Sequence, residues 1–159
     1  MAHWPCVVSQ ADYNLCVCVR VRRLQGDLKR LLRSGSVPLT AIQRLTICYQ
    51  ASLALSHLSS ENVVHMDIAA RNFLVTRSLG VKLSCVAAAR GVDAGDYCEL
   101  GGKLVPLRWL APESALAGNY TAASDVWAYA IFVTEVSQLG MMLSPHLSYD
   151  AKRSTCAET

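Results

Sequence analysis

The stretch from Ser124 to Leu139 most narrows what this chain can fold into. Wound at helical pitch, Val126, Trp127, Ala130, Ile131, Phe132, Val133 and Val136 leave hardly a polar side. Such a helix is stable only inside a domain, so the pattern predicts a buried central helix over 124–139 with Ser124 as its N-cap. Glu135 interrupts the run, and no segment reaches the roughly 18 apolar residues a membrane-spanning helix needs.

Helical spacing recurs upstream. Leu28, Leu31 and Leu32 share one face of a short helix that Ser34-Gly35-Ser36 ends. The next helix starts at Thr40, a good N-cap residue. Its apolar positions form two stripes, Leu45, Cys48, Tyr49, Leu55 and Ile47, Ala51, Ala54, Leu58, which predict a helix covered on most sides. Before these helices, Cys6-Val7-Val8 and Leu15-Cys16-Val17-Cys18-Val19 read as short strands around the polar insert Gln10 to Asn14. The expected class is mainly α, α+β overall.

Composition excludes several functions. At 159 residues with 52% apolar content, the chain can bury one core and is not disordered by composition. The net charge of +3 is scattered, which gives no electrostatic case for nucleic acid. Seven cysteines, an odd number without metal-ligand pairing, read as thiols in a reducing compartment. Met1-Ala2-His3-Trp4-Pro5 lacks the basic start and apolar core of a secretory leader.

Chemistry concentrates in His65-Met66-Asp67-Ile68-Ala69-Ala70-Arg71-Asn72, which leads into the apolar Phe73-Leu74-Val75. It resembles the H-R-D-L-x-x-x-N loop of protein kinases, in the Asp-x-Ala-Ala-Arg-Asn form of tyrosine kinases. Three further landmarks follow in order: Lys82 to Arg90, Val105-Pro106-Leu107-Arg108-Trp109-Leu110-Ala111-Pro112-Glu113, and Ser124-Asp125-Val126-Trp127-Ala128-Tyr129. The resemblance covers roughly Gly26 to Asp150 and implies an incomplete kinase-like large lobe.

The resemblance divides the chain into a small-lobe strand remnant and hinge over 1–25, the large lobe over 26–150, and an unmatched tail over 151–159. Within the lobe it places a catalytic loop at 65–72 and an activation segment at 85–113. It implies Asp67 as acceptor of the substrate hydroxyl's proton, Arg71 beside the acceptor phenol, and Asn72 as a metal ligand. It implies a packing role for His65 and a bond from Asp125 back to the catalytic loop backbone. With Cys85 nearby, Asp67 reads rather as a relic that only ties its own loop together, and Arg71 reads equally as the partner of a local carboxylate. Asp96-Tyr97-Cys98 resembles the D-Y-Y of receptor kinases, with Tyr97 either a phosphosite or an unmodified surface tyrosine. Pro106 and Trp109 read as a substrate platform or as a cover for the core.

Cys85-Val86-Ala87 stands where the family has D-F-G, whose Asp holds magnesium. A thiol is a soft donor and magnesium selects oxygen, so Cys85 is a poor replacement. A loss of ~4 kcal/mol of charge stabilisation slows transfer roughly a thousandfold. Met66 also replaces the Arg whose fork grips a phosphorylated activation loop. With the Val-Pro-Leu-Arg-Trp wording, these changes make the chain similar to the receptor pseudokinase family of colon carcinoma kinase and Off-track. No G-x-G-x-x-G occurs, and none of Lys29, Lys82, Lys103 and Lys152 stands on an early strand as the small-lobe Lys.

Three functions follow as alternatives. The first is a pseudokinase module that docks signalling proteins, at the cytoplasmic side of the plasma membrane within a receptor whose spanning helix lies elsewhere. The second is an active tyrosine kinase that uses ATP and magnesium on protein tyrosines. The third is a segment that does nothing alone and exposes apolar surface.

Overall fold

The computed structural model describes residues 24–35, 38–84, 96–100 and 103–140. The expected strands at Cys6–Val8 and Leu15–Val19, the basic Arg20, Arg22 and Arg23, and Cys85-Val86-Ala87 lie outside them.

The described chain is mostly helical, with a small antiparallel sheet. Strand β1 (Leu24–Asp27) runs straight into helix α1 (Leu28–Ser34). Asp27 caps α1 by accepting the Arg30 N–H, and Gly35 closes it in the left-handed conformation. Helix α2 (Ala41–Ser60) begins with a full capping box between Thr40 and Gln43. After a 3₁₀ turn at Ala70–Asn72 come β2 (Phe73–Thr76) and β3 (Val81–Leu83). Strands β4 (Cys98–Leu100) and β5 (Lys103–Val105) pair with each other. Helices α3 (Pro112–Ala117) and α4 (Ala122–Ser137) complete the order.

The first sheet has the order β1-β2-β3, antiparallel throughout. Leu24 and Gln25, expected at the end of a hinge, are therefore part of the sheet. The register slips between Leu24 and Gly26, and Gly26 takes a φ of 127° there, a conformation open to glycine alone.

The core gathers where α1, α2, α4 and β2 meet the 3₁₀ turn. Leu28, Ile47, Ala51, Ile68, Phe73, Val75, Phe132 and Val136 are buried, and the rings of Phe73 and Phe132 pack at 4.5 Å. Burying a side chain of that size contributes about 1.5–3 kcal/mol. At the far end of α4, a Cβ on Gly140 would meet Leu32 Cβ and Arg33 Cγ at 3.1 Å, so glycine allows α4 to close on α1.

Three expectations about the helices need correction. Helix α2 is not covered on most sides: Ile47 and Ala51 are buried, but Ile42, Leu45, Tyr49 and Leu53 are exposed, Leu45 at 69%. Among the described residues only α4 and β3 pack broadly along it, enough to cover one stripe. Helix α4 is likewise buried on one side, through Ala128, Phe132 and Val136, while Val126 and Trp127 face outward. Its N-cap is Thr121 rather than Ser124. Ser124 is the third helical residue and returns the bond, its hydroxyl accepting the Thr121 N–H at 3.0 Å. The sequence Thr-Ala-Ala-Ser holds two cap-competent hydroxyls, and the reciprocal pair satisfies one more free donor than Ser124 could alone.

Candidate active site

The 65–72 loop crosses from α2 to β2, and its conformation is fixed from below by α4. Asp125 accepts the backbone N–H of His65 at 2.7 Å and of Met66 at 2.9 Å, one per carboxylate oxygen. Burial pushes the Asp125 carboxyl up from its ordinary value, and these two N–H groups pull it back. His65 bridges: its Nδ1 accepts the Asp67 N–H at 3.3 Å, so Nε2 carries the hydrogen and donates to the Ser84 carbonyl at 3.1 Å. That ties the loop to the end of β3, so His65 is more than a packing residue.

Asp67 itself is buried and fully engaged. One carboxylate oxygen is paired with Arg71 Nη2. The other accepts the Asn72 amide at 2.8 Å and the Tyr97 hydroxyl at 2.7 Å. The same Asn72 nitrogen also donates to the Asp67 carbonyl at 2.7 Å, closing the turn on itself. Arg71 Nε donates to the Tyr97 hydroxyl at 2.8 Å, so this phenol is held from both sides. Burial, then the Asp67 charge, pushes Tyr97 up to about 12.

The guanidinium of Arg71 lies between two rings, 4.6 Å from the Tyr97 centroid and 4.1 Å from Trp109. Both stackings favour the cation. Its Nη1 stands 3.6 Å from Asp96, which is also paired with the buried Lys29 of α1. Two buried carboxylates thus face two buried cations, and such charges are tolerated only when paired. Trp109 is held in turn by Glu135, whose Oε2 accepts the indole N–H at 2.9 Å and the Ala70 N–H at 2.9 Å. Burial pushes the Glu135 carboxyl up from its ordinary value.

Of the residues singled out in the sequence, the structure brings together His65, Asp67, Arg71, Asn72, Tyr97 and Asp125. Ala111, Pro112 and Glu113 open α3, with Ala111 as its N-cap and Pro112 at its first turn, and give the Asp67 cluster no hydrogen bond or ion pair. Cys85, Val86 and Ala87 lie outside the described residues. Tyr97 is no plain surface tyrosine, since its hydroxyl is committed to the loop. Sequence reasoning missed Lys29 and Glu135. Each is a charged residue inside an apolar helical pattern, between Leu28 and Leu32 and between Phe132 and Val136, and that misfit was the available signal.

Residues 6–157 match the family described as protein tyrosine and serine/threonine kinase. Inactive tyrosine-protein kinase 7 of Homo sapiens is 39% identical over 129 residues, which cover 76% of this chain and 12% of that protein. Platelet-derived growth factor receptor alpha of Gallus gallus is 36% identical over 80% of this chain and 12% of its own length. The Drosophila melanogaster tyrosine-protein kinase transmembrane receptor Ror is 38% identical over 73% of this chain and 18% of its own length. The chain thus spans less than a fifth of the relatives it matches. On the family match and these identities together, the chain belongs to the protein tyrosine and serine/threonine kinase family.

Proposed function

We propose that the chain is a tyrosine-kinase-like pseudokinase domain of a receptor, acting by protein docking with little or no phosphotransfer. The observation that carries this reading is Cys85 at the position of the magnesium-holding Asp. The donor set does not fit magnesium. Asn72 gives Asp67 its amide nitrogen and keeps its amide oxygen for a metal, but the next position in line offers sulfur where a hard cation takes oxygen. The occupied Asp67 supports the same reading, because both carboxylate oxygens are bonded to Arg71, Asn72 and Tyr97. A substrate hydroxyl would have to displace Tyr97 to reach it.

The similarity to a protein named as an inactive tyrosine kinase supports this reading. Receptors among the relatives support a place at the cytoplasmic face of the plasma membrane, with signalling proteins as partners. No helix among the described residues is long and apolar enough to cross a membrane, so the spanning helix belongs to another part of such a receptor.

A second reading, an active tyrosine kinase with ATP and magnesium, is favoured by the convergence of Asp67, Arg71 and Asn72 and by the relative named a tyrosine-protein kinase. Thermal-shift titration of the full-length protein with ATP and magnesium separates the two. The pseudokinase reading expects no magnesium-dependent rise in Tm, and a rise on introducing Cys85→Asp. Labelling of peptide tyrosines that collapses in Asp67→Asn would establish the enzyme instead.

A further inference from the structure

We infer that helix α2 is a self-docking surface, through which two copies of the chain pair antiparallel about a two-fold axis between Tyr49 and Ser52. The inference goes beyond the docking reading. It uses none of the residues around Asp67, so neither proposal falls with the other.

The outward side of α2 carries Ile42, Leu45, Tyr49, Ser52, Ser56 and Ser59, spaced alternately three and four residues apart. That is the spacing of the a and d positions along a coiled-coil seam. The first three are large and 76%, 69% and 63% exposed, while the last three are small. The small half borders a hollow. Ser52, Ser56 and Ser59 line a groove of about 700 Å³, together with Leu55 of α2 and Val126 and Tyr129 of α4. The Ser52 hydroxyl already donates to the Tyr49 carbonyl at 2.8 Å, so covering it strands no donor.

Knobs at one end of the helix and a groove at the other make the face complementary to itself. Turned antiparallel, Tyr49 meets the second copy's Ser52, Leu45 meets its Ser56, and Ile42 meets its Ser59. These are the a-to-d pairings of an antiparallel seam. A groove of that size falls in the range that holds a drug-sized ligand, so it has room for the three side chains. Parallel packing would press Tyr49 against Tyr49 and leave the serine halves facing a void. The two-fold axis makes each contact twice and closes the pair, where a head-to-tail contact would propagate.

Charge points to a second copy rather than to an unlike partner. Arg44 is the one formally charged residue of α2, and it stands off the seam. An acidic or basic partner finds nothing to pair with there, whereas two copies of a chain at +3 meet on the side where they repel least. Three large side chains, with the groove that receives three more, remove on the order of 600 Å² from each copy, the lower end of a stable interface.

Sedimentation equilibrium of the chain up to about 100 μM, alongside Leu45→Ala and Ser56→Trp, tests this. Both positions are exposed, so each variant keeps the stability of the dilute monomer. The wild-type chain forms a dimer and stops there. Leu45→Ala removes a knob, Ser56→Trp fills the groove against Leu45, and each weakens the dimer at least tenfold. Mixed, the two variants pair at least tenfold tighter than either does with itself. The shortened position 45 of one copy then receives the enlarged position 56 of the other, and the second contact is native. A wild-type chain that stays monomeric overturns the inference and leaves the face to another occupant, such as a further segment of the receptor. Open-ended association, or a mixture no tighter than its parts, overturns it too. If Ser56→Trp fails to fold, wild type against Leu45→Ala still decides, and equal association of those two overturns the inference.

Discussion

Met66 is held in a left-handed conformation, at a φ of 70°, by the carboxylate of Asp125, which receives its backbone N–H at 2.9 Å. A bulky residue there costs on the order of 1–2 kcal/mol, so the loop keeps its shape only because helix α4 supplies the acceptor. Asp125→Ala strands two N–H groups, His65 and Met66, and is expected to lower stability by about 2–4 kcal/mol in urea denaturation. Asp125→Asn, which keeps one acceptor oxygen, should cost less. Equal losses for the two variants would mean that the charge, rather than the acceptor geometry, holds the loop.

Tyr97 gives a titration signature. Its hydroxyl ionises near 12 in the folded chain instead of near 10, so the fold binds this proton more tightly than the unfolded chain does. Stability therefore falls as pH rises from 10 towards 12. Tyrosinate absorbance should show a late-ionising phenol that Tyr97→Phe removes. A variant with an unchanged titration curve would show that Tyr97 does not sit against Asp67 in solution.

Glu135 is raised above its ordinary value of 4.5 by burial. An acid raised on folding prefers its proton in the folded state, so its contribution to stability grows as pH falls from the folded value towards the ordinary one. The gap in unfolding free energy between wild type and Glu135→Gln should shift in favour of wild type as the buffer is acidified from neutral to about pH 4.5. A gap that moves the other way would show that the Glu135 anion is stabilised in the core.

Exposure decides what the apolar residues of α2 and α4 contribute. Leu45 and Tyr49 are more than 60% exposed, so Leu45→Lys and Tyr49→Lys should each change stability by no more than about 0.5 kcal/mol. Phe132 is fully buried against Phe73, and Phe132→Ala should cost about 3–5 kcal/mol. Chemical denaturation of the three variants checks both halves. A large loss at Leu45 would place a packing partner on that stripe.

The legible part of the chain was the part written in local chemistry. Thr40 and Gln43 close a capping box, Gly35 ends α1, and the leucines of α1 face the core because each depends on neighbours a turn away. The motif order likewise led to the kinase family. What the sequence did not yield depends on distant partners. Whether the stripes of α2 are covered is settled by what packs on them, and the apolar period is the same either way. Lys29 and Asp96 meet across 67 residues, and no local pattern ties a lysine in a leucine-rich helix to that aspartate. Thr121 displaced Ser124 as the cap because both hydroxyls suit the position and only the turn before α4 chooses between them.

Glu135 Oε2 serves the Ala70 amide and the Trp109 indole at once. The backbone of the 65–72 loop and the Trp109 ring thus hang from a single atom. Anything that pries Trp109 outward must also tug the backbone beside Arg71, so the indole and the loop can only shift together.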